Sequence, residues 1–211
     1  MTESAAALRE PWTSLEDQRR VAMFGMWTFI ASEILFFGAL FMGFSVVRVL
    51  HPAAFAEAAG HTNIWYGSAN TAILLTSSFA MVMGLRAADL DLRRLAALCL
   101  AVTAVLGLAF LIVKGFEYKD DIDKHLVPGQ DFALKAGAAQ IFFSFYWGIT
   151  AVHAVHLTIG IVLVSRLAWL LMRGDIAMRS PQFEVTALYW GFVDIVWITV
   201  YPLIYLGGGR S

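Results

Sequence analysis

The sequence predicts an all-α integral membrane protein, a bundle of five transmembrane helices, and three observations carry that prediction. Hydrophobic residues make up 59% of the 211 positions and charged residues only 15%, against about 25% charged in an average soluble domain. Five apolar stretches are long enough to cross a hydrocarbon layer about 30 Å thick, which takes a helix of about 20 residues. The connections between them are short and leave no room for a soluble domain. Helices are expected rather than strands, because an isolated strand in lipid cannot pair its backbone groups.

The stretches run near Val21–Leu50, Ile64–Ala88, Leu95–Phe116, Gly137–Met172 and Glu184–Leu206. The fourth exceeds the length needed, so it tilts or projects past the interface. Residues 21–206 thus form one five-helix transmembrane domain, preceded by an N-terminal segment at residues 1–20. Met1 to Gln18 has no apolar core of its own and does not read as a cleaved signal peptide. No internal repeat stands out, so the inverted halves of many transporters are not apparent.

With the N-terminus inside, the inner segments hold Arg9, Arg19, Arg20, Arg86, Arg93, Arg94, Arg173 and Arg179. The outer ones hold Arg48, Lys114, Lys119, Lys124, Lys135 and Arg210. The small inner excess favours a cytoplasmic N-terminus and a periplasmic C-terminus under the positive-inside rule. A bacterial plasma membrane is the expected location. A net charge of −1 gives no reason to expect nucleic acid as a partner. The single cysteine, Cys99, lies in an apolar run and is expected to be a small buried residue, with neither a disulfide framework nor a CxxC metal site.

Polar residues inside the spans are the candidate site. Glu33 lies twelve residues into the first stretch, roughly 18 Å along a helix rising about 1.5 Å per residue. That depth is near the bilayer centre, where an ionised carboxylate costs on the order of 3 kcal/mol. Glu33 is therefore either a neutral group bonded to a neighbouring helix or a proton-responsive group facing lipid or a partner. His153 and His156 are three apart on the fourth span and share a helix face. Glu33, Glu117 and Asp194 are the acids available to complete a metal set, but nothing in the sequence brings them together. The Glu-x-x-His pairs of di-iron bundles are absent, and no facing histidine pair supports haem. Helix-to-helix hydrogen bonding or lipid-headgroup contact is the main reading of both histidines. Asp194 sits about ten residues into the last span, flanked by Trp190 and Trp197 on one face. The tryptophans read as packing or interfacial residues, and Asp194 is expected to pair with His153 or His156. Gly38, Gly43, Ser77, Ser78, Gly107, Gly148 and Gly160 suit close helix contacts.

Taken in order, these motifs resemble subunit III of the haem-copper oxidases, typified by cytochrome c oxidase. The matching pieces begin with Ser32-Glu33 followed by Leu35-Phe36-Phe37, then Asn70-Thr71 with Leu74-Leu75 and Ser77. Glu117-Tyr118 closes the third span, and His153-Ala154-Val155-His156 is followed by Gly160. Tyr189-Trp190, Phe192-Val193-Asp194 and Trp197 complete the set. The resemblance runs from about Met23 to Leu206 and matches the shorter, five-span bacterial forms. It implies a non-catalytic core subunit of a respiratory oxidase, with no catalytic residue, metal or cofactor of its own. Haem and copper would reside in the catalytic subunit I, with subunit II as a further partner, and structural phospholipid would fill a V-shaped cleft. Glu33 matches the family's carbodiimide-reactive membrane glutamate, and His153, His156 and Asp194 match its histidine and aspartate positions. The family is linked to sustained turnover and proton uptake in electron transfer to oxygen. Two positions depart from it: Gly191 stands where many relatives carry histidine, and Ala151-Val152 replaces the usual lead into the histidine pair.

Two other functions use the same residues. An accessory subunit of a nitric oxide reductase would share the fold, with non-haem iron in its partner. A small proton or ion transporter would use Glu33, His153, His156 and Asp194 as a relay. The electron donor, cytochrome c or quinol, is not written in the sequence.

Overall fold

The computed structural model describes residues 14–134 and 137–206. Most of the N-terminal segment, together with Arg9, Lys135 and Arg210 of the orientation argument, lies outside the described residues. Six helices appear in chain order among those described: α1 Leu15–Leu50, α2 Pro52–Gly60, α3 Ile64–Asp89, α4 Arg93–Asp123, α5 Gly137–Arg173 and α6 Pro181–Tyr205. Five of them, all but α2, are long and apolar enough to span a membrane. The chain is a multi-pass membrane protein.

The helix ends follow local chemistry. Ser14 caps α1 by accepting from the Asp17 amide at 3.0 Å, with Glu16 and Asp17 in the first turn, where acids complement the helix dipole. Asn63 caps α3 through the Trp65 amide. Ser180 and Pro181 open α6. Three residues in the connections take left-handed backbone: Asp91 between α3 and α4, His125 after α4, and Gly174 after α5. A glycine carries that conformation without a Cβ penalty.

Two bounds differ from expectation. α1 begins at Leu15, six residues before the apolar run, because its cap and acidic first turn lie upstream. α4 continues seven residues past Phe116 to Asp123, through Glu117, Asp120 and Asp121, which the sequence suggested were a polar connection. A short unpredicted helix, α2, turns the chain between α1 and α3. Phe55 on α2 is buried and packs against Phe44 of α1 and Phe142 of α5.

α3 and α4 form the most extensive helix pair, α5 packs on α4, and α6 lies against both α3 and α5. α1 is peripheral: it leans on α6 and touches α5 lightly. Trp190 on α6 fixes the centre. A Cβ on Gly107 of α4 would stand 2.8 Å from the Trp190 ring and 2.8 Å from Ile161. One on Gly160 of α5 would be 3.2 Å from the same ring. Bare glycines at these two positions let three helices close on one indole, as small residues do in membrane bundles. The expected small residues Gly38 and Gly148 face open space instead. Cys99 is only half-buried, beside Gly84.

Gly107→Ala is expected to lower the thermal stability of the solubilised protein by about 1–3 kcal/mol, the usual cost of overpacking. Gly148→Ala, with nothing within 4 Å of the new methyl, is the control and should be neutral or stabilising on helix propensity. Equal melting temperatures for the two variants would contradict the close packing at Trp190.

Candidate functional site: buried polar groups between the helices

Glu33 lies halfway along α1 and meets His156 of α5, with Glu33 Oε2 3.2 Å from His156 Nε2. The approach is ion-pair close but poorly aligned for a hydrogen bond, and Oε2 has no other polar partner. The other ring nitrogen, Nδ1, lies 2.9 Å from the Val152 carbonyl one turn back. A carbonyl only accepts, so Nδ1 carries a proton and donates it. Nε2 is thereby left facing the Glu33 carboxyl group. Both side chains keep a little exposure, 18% for Glu33 and 16% for His156. Phe37 packs its ring edge-on to His156, with ring centroids 5.5 Å apart, and the Tyr189 hydroxyl donates to the His156 carbonyl at 3.0 Å.

Asp194 does not pair with either histidine. Its Oδ2 accepts from the Ser78 hydroxyl of α3 at 2.6 Å, while Oδ1 is buried without a partner. The expected Asp194–His153 or Asp194–His156 contact is thus replaced by two separate pairs. The reason is the helix order: α6 turns Asp194 toward α3, whereas α5 turns His156 toward α1. His153, one turn from His156, is fully buried against Trp197 and Phe110, with ring centroids 5.1 and 5.6 Å away. Neither of its nitrogens has a polar partner. Asn70 of α3 is likewise buried with both side-chain polar atoms unpaired.

The two tryptophans are core residues with polar anchors rather than an interfacial belt. Trp190 Nε1 donates to Ser77 Oγ at 3.2 Å, and Trp197 Nε1 to Thr71 Oγ1 at 3.1 Å. Two turns of α6 thus repeat one device, an indole N–H given to a hydroxyl of α3.

Glu117, expected to make a lipid or interhelix polar contact, is 1% exposed and belongs to a network whose other members the sequence did not point to. It accepts from Lys114 at 2.9 Å, from Tyr205 at 2.6 Å and from Tyr146 at 3.1 Å. The available signal was Lys114-x-x-Glu117, an i,i+3 pair of opposite charge at the end of an apolar helix. At the opposite end of the bundle Arg19 of α1 pairs with Glu184 of α6.

An apolar groove of about 470 Å³ runs between α1 and α6, lined by Trp27, Ile34, Phe37, Leu188 and Ile195, among others. Gly191 opens onto it, and a Cβ there would meet nothing within 4 Å. Among the described residues, no three of the His, Cys, Asp and Glu side chains gather as metal ligands would. His156 is committed at both nitrogens, and His153 is enclosed by aromatic rings. These residues do not fit a haem or metal centre.

Ser78→Ala should cost about 1–3 kcal/mol, the cost of leaving a buried carboxyl oxygen without its donor. Combined with Asp194→Ala it should cost less than the sum of the two changes, while Asp194→Ala and His156→Ala should add. Strong coupling between Asp194 and His156 in the melting temperatures would restore the pairing that the structure lacks.

The chain matches the sequence pattern of the family described as cytochrome c oxidase subunit III over residues 17–209. It is 32% identical over 204 residues to a heme-copper oxidase subunit I+III of Aeropyrum pernix, covering 93% of this chain and 24% of that longer protein. It is 30% identical over 187 residues to a cytochrome c oxidase subunit 3 of a Synechocystis species, covering 87% of this chain and 75% of the relative. A cytochrome bo(3) ubiquinol oxidase subunit 3 of Buchnera aphidicola is 28% identical over 199 residues, covering 92% of this chain and 97% of its own length.

Proposed function

This chain belongs to the cytochrome c oxidase subunit III family, and we propose that it serves as a non-catalytic core subunit supporting electron transfer to oxygen. The observation that carries the proposal is the family match across nearly the whole chain, over residues 17–209. Family membership implies a complex with other oxidase subunits. The catalytic subunit I and subunit II are the partners, and they hold the haem and copper. The fused I+III name of the Aeropyrum pernix protein supports direct contact between this chain and a subunit I. The apolar lining of the groove between α1 and α6 suits a phospholipid acyl chain, with Gly191 leaving room for it. The chain lies in the bacterial plasma membrane with its N-terminus cytoplasmic, an orientation supported by the arginines near the Arg93 end of α4 and the Arg173 end of α5. The Glu33–His156 pair, on the lightly held face of α1, supports proton uptake by the partner rather than any bond-making of its own.

Gentle solubilisation should recover the chain with a partner carrying haem and copper. A partner carrying haem and non-haem iron would instead indicate a nitric oxide reductase. In the oxidase, Glu33→Gln should leave the haem spectrum and initial rate intact and shorten the number of turnovers before activity declines. Immediate loss of the haem signal would make Glu33 an assembly residue and defeat the supporting role in proton uptake.

A further inference from the structure

Lys114, Glu117 and Asp121 follow one another at intervals of about one turn on α4, near its Asp123 end, and none is more than 4% exposed. The Lys114 ammonium uses its three protons inside the bundle. One goes to Glu117 Oε2 at 2.9 Å, one to the Tyr205 hydroxyl at 2.8 Å and one to the Tyr146 hydroxyl at 3.1 Å. The rings of Tyr118, Tyr146, Trp197 and Tyr205 surround it, with the nearest centroid 4.6 Å away. Tyr205 returns its own proton to Glu117 Oε1 at 2.6 Å. Tyr146 has a single hydroxyl proton and two carboxylate oxygens in reach, Asp121 Oδ2 at 2.7 Å and Glu117 Oε1 at 3.1 Å.

Glu117 alone balances the one ammonium. Asp121 would add a second negative charge inside the same closed site. Lys124 is a further cation whose charge reaches Asp121, but it is half-exposed and already paired, and the other titratable groups nearby do not offset it. On α4, the Tyr118 hydroxyl is shared with Thr150 of α5. From α6, Tyr201 bonds Ser68 of α3. On α5, His153 is enclosed by Trp197 and Phe110. At the mouth, Lys124 is bound to Asp120 at 2.7 Å, and Asp123 is exposed. A buried charge without a counter-charge is costly, and a carboxylate sheds that cost by taking a proton.

We propose that this cluster is a proton-binding site at the Asp123 end of the bundle, in which Asp121 takes up one proton so that one ammonium faces one carboxylate. The proton arrives from and returns to the water at that end, no covalent bond between heavy atoms changes, and Tyr146 stays hydrogen-bonded to Asp121 in either state. The site uses only residues of this chain, so its failure would leave the proposed role in the oxidase standing.

The test is thermal unfolding of this subunit in the intact complex, from mildly acid to alkaline pH, with infrared spectra of the same samples. A carboxyl protonated when folded and ionised when unfolded makes stability fall as pH rises. The wild-type melting temperature should therefore decline toward alkaline pH. Asp121→Asn, a neutral mimic of the protonated acid, should fold, melt at or above the wild-type temperature at neutral pH and flatten that decline. It should also remove one carbonyl stretch of a protonated carboxylic acid. Lys114→Met should lower the melting temperature at every pH, and adding Glu117→Gln should recover part of the loss. An Asp121→Asn protein that fails to fold, melts as low as Lys114→Met or keeps the alkaline decline would overturn the proposal. So would a wild-type stability that rises with sodium at fixed pH and loses that rise in Asp121→Asn, which would make the occupant a metal cation.

Discussion

Trp190 is the contact on which the rest of the bundle depends. Its indole reaches three other helices at once: the N–H ends on Ser77 of α3, and the ring lies against Gly107 of α4 and Gly160 of α5. Hydrophobic burial cannot drive helices together in lipid, so close packing and interhelical hydrogen bonds must do so. One large ring placed against two bare glycines supplies both. Trp197, two turns along α6, repeats the arrangement with Thr71, Phe110 and His153. The four helices α3 to α6 are thereby fixed in register, and every other buried side chain in them is placed by that register. His153 is the example: once Trp197 and Phe110 are set, its ring has no route to Asp194.

The acids divide by how firmly they are held. Glu117 accepts from three side chains, one each on α4, α5 and α6, and is closed to the outside. Asp194 has one short hydrogen bond across the α3–α6 seam. Glu33 has a single close polar partner and lies on the spanning helix with the least packing behind it. α1 is joined to the rest by two polar pairs, Glu33–His156 and Arg19–Glu184, and by ring contacts of Phe29, Phe37 and Phe44 with α6, α2 and α5. Exposed ion pairs such as Arg19–Glu184 contribute little, typically 0–1 kcal/mol.

Much of this architecture is legible in the sequence because lipid demands long apolar runs, and five such runs fix the number and order of the spanning helices. The limits of α4 were not legible, since the acids from Glu117 onward read as a connection after the third span, while Lys114, Tyr146 and Tyr205 take Glu117 and Asp121 into the bundle. Tyr146 and Tyr205 lie far from Glu117 in sequence, and only the folded bundle brings them to it. The depth of Glu33, His153, His156 and Asp194 was legible, but their pairing was not. His153 and His156 are three apart, and a helix turns about 100° per residue, so their side chains point some 60° apart. That modest angle sends one toward Trp197 and the other toward α1. Opposite charge and similar depth identify candidates for a pair, and only helix order chooses among them.

That helix order also separates two electrostatic regimes within one small bundle. In the α4–α6 network, hydroxyl, ammonium and carboxylate groups are mutually fixed, so a change of charge on one of them is felt by all. At the α1–α5 contact, the Val152 carbonyl holds the His156 ring by its Nδ1, and Nε2 is left facing Glu33 across the helix seam. Glu33 stands on the peripheral helix, and local openings concentrate where buried contacts are few. The bundle therefore encloses Lys114, Glu117 and Asp194 among α3 to α6 and leaves Glu33 and His156 partly exposed at its lightly packed helix.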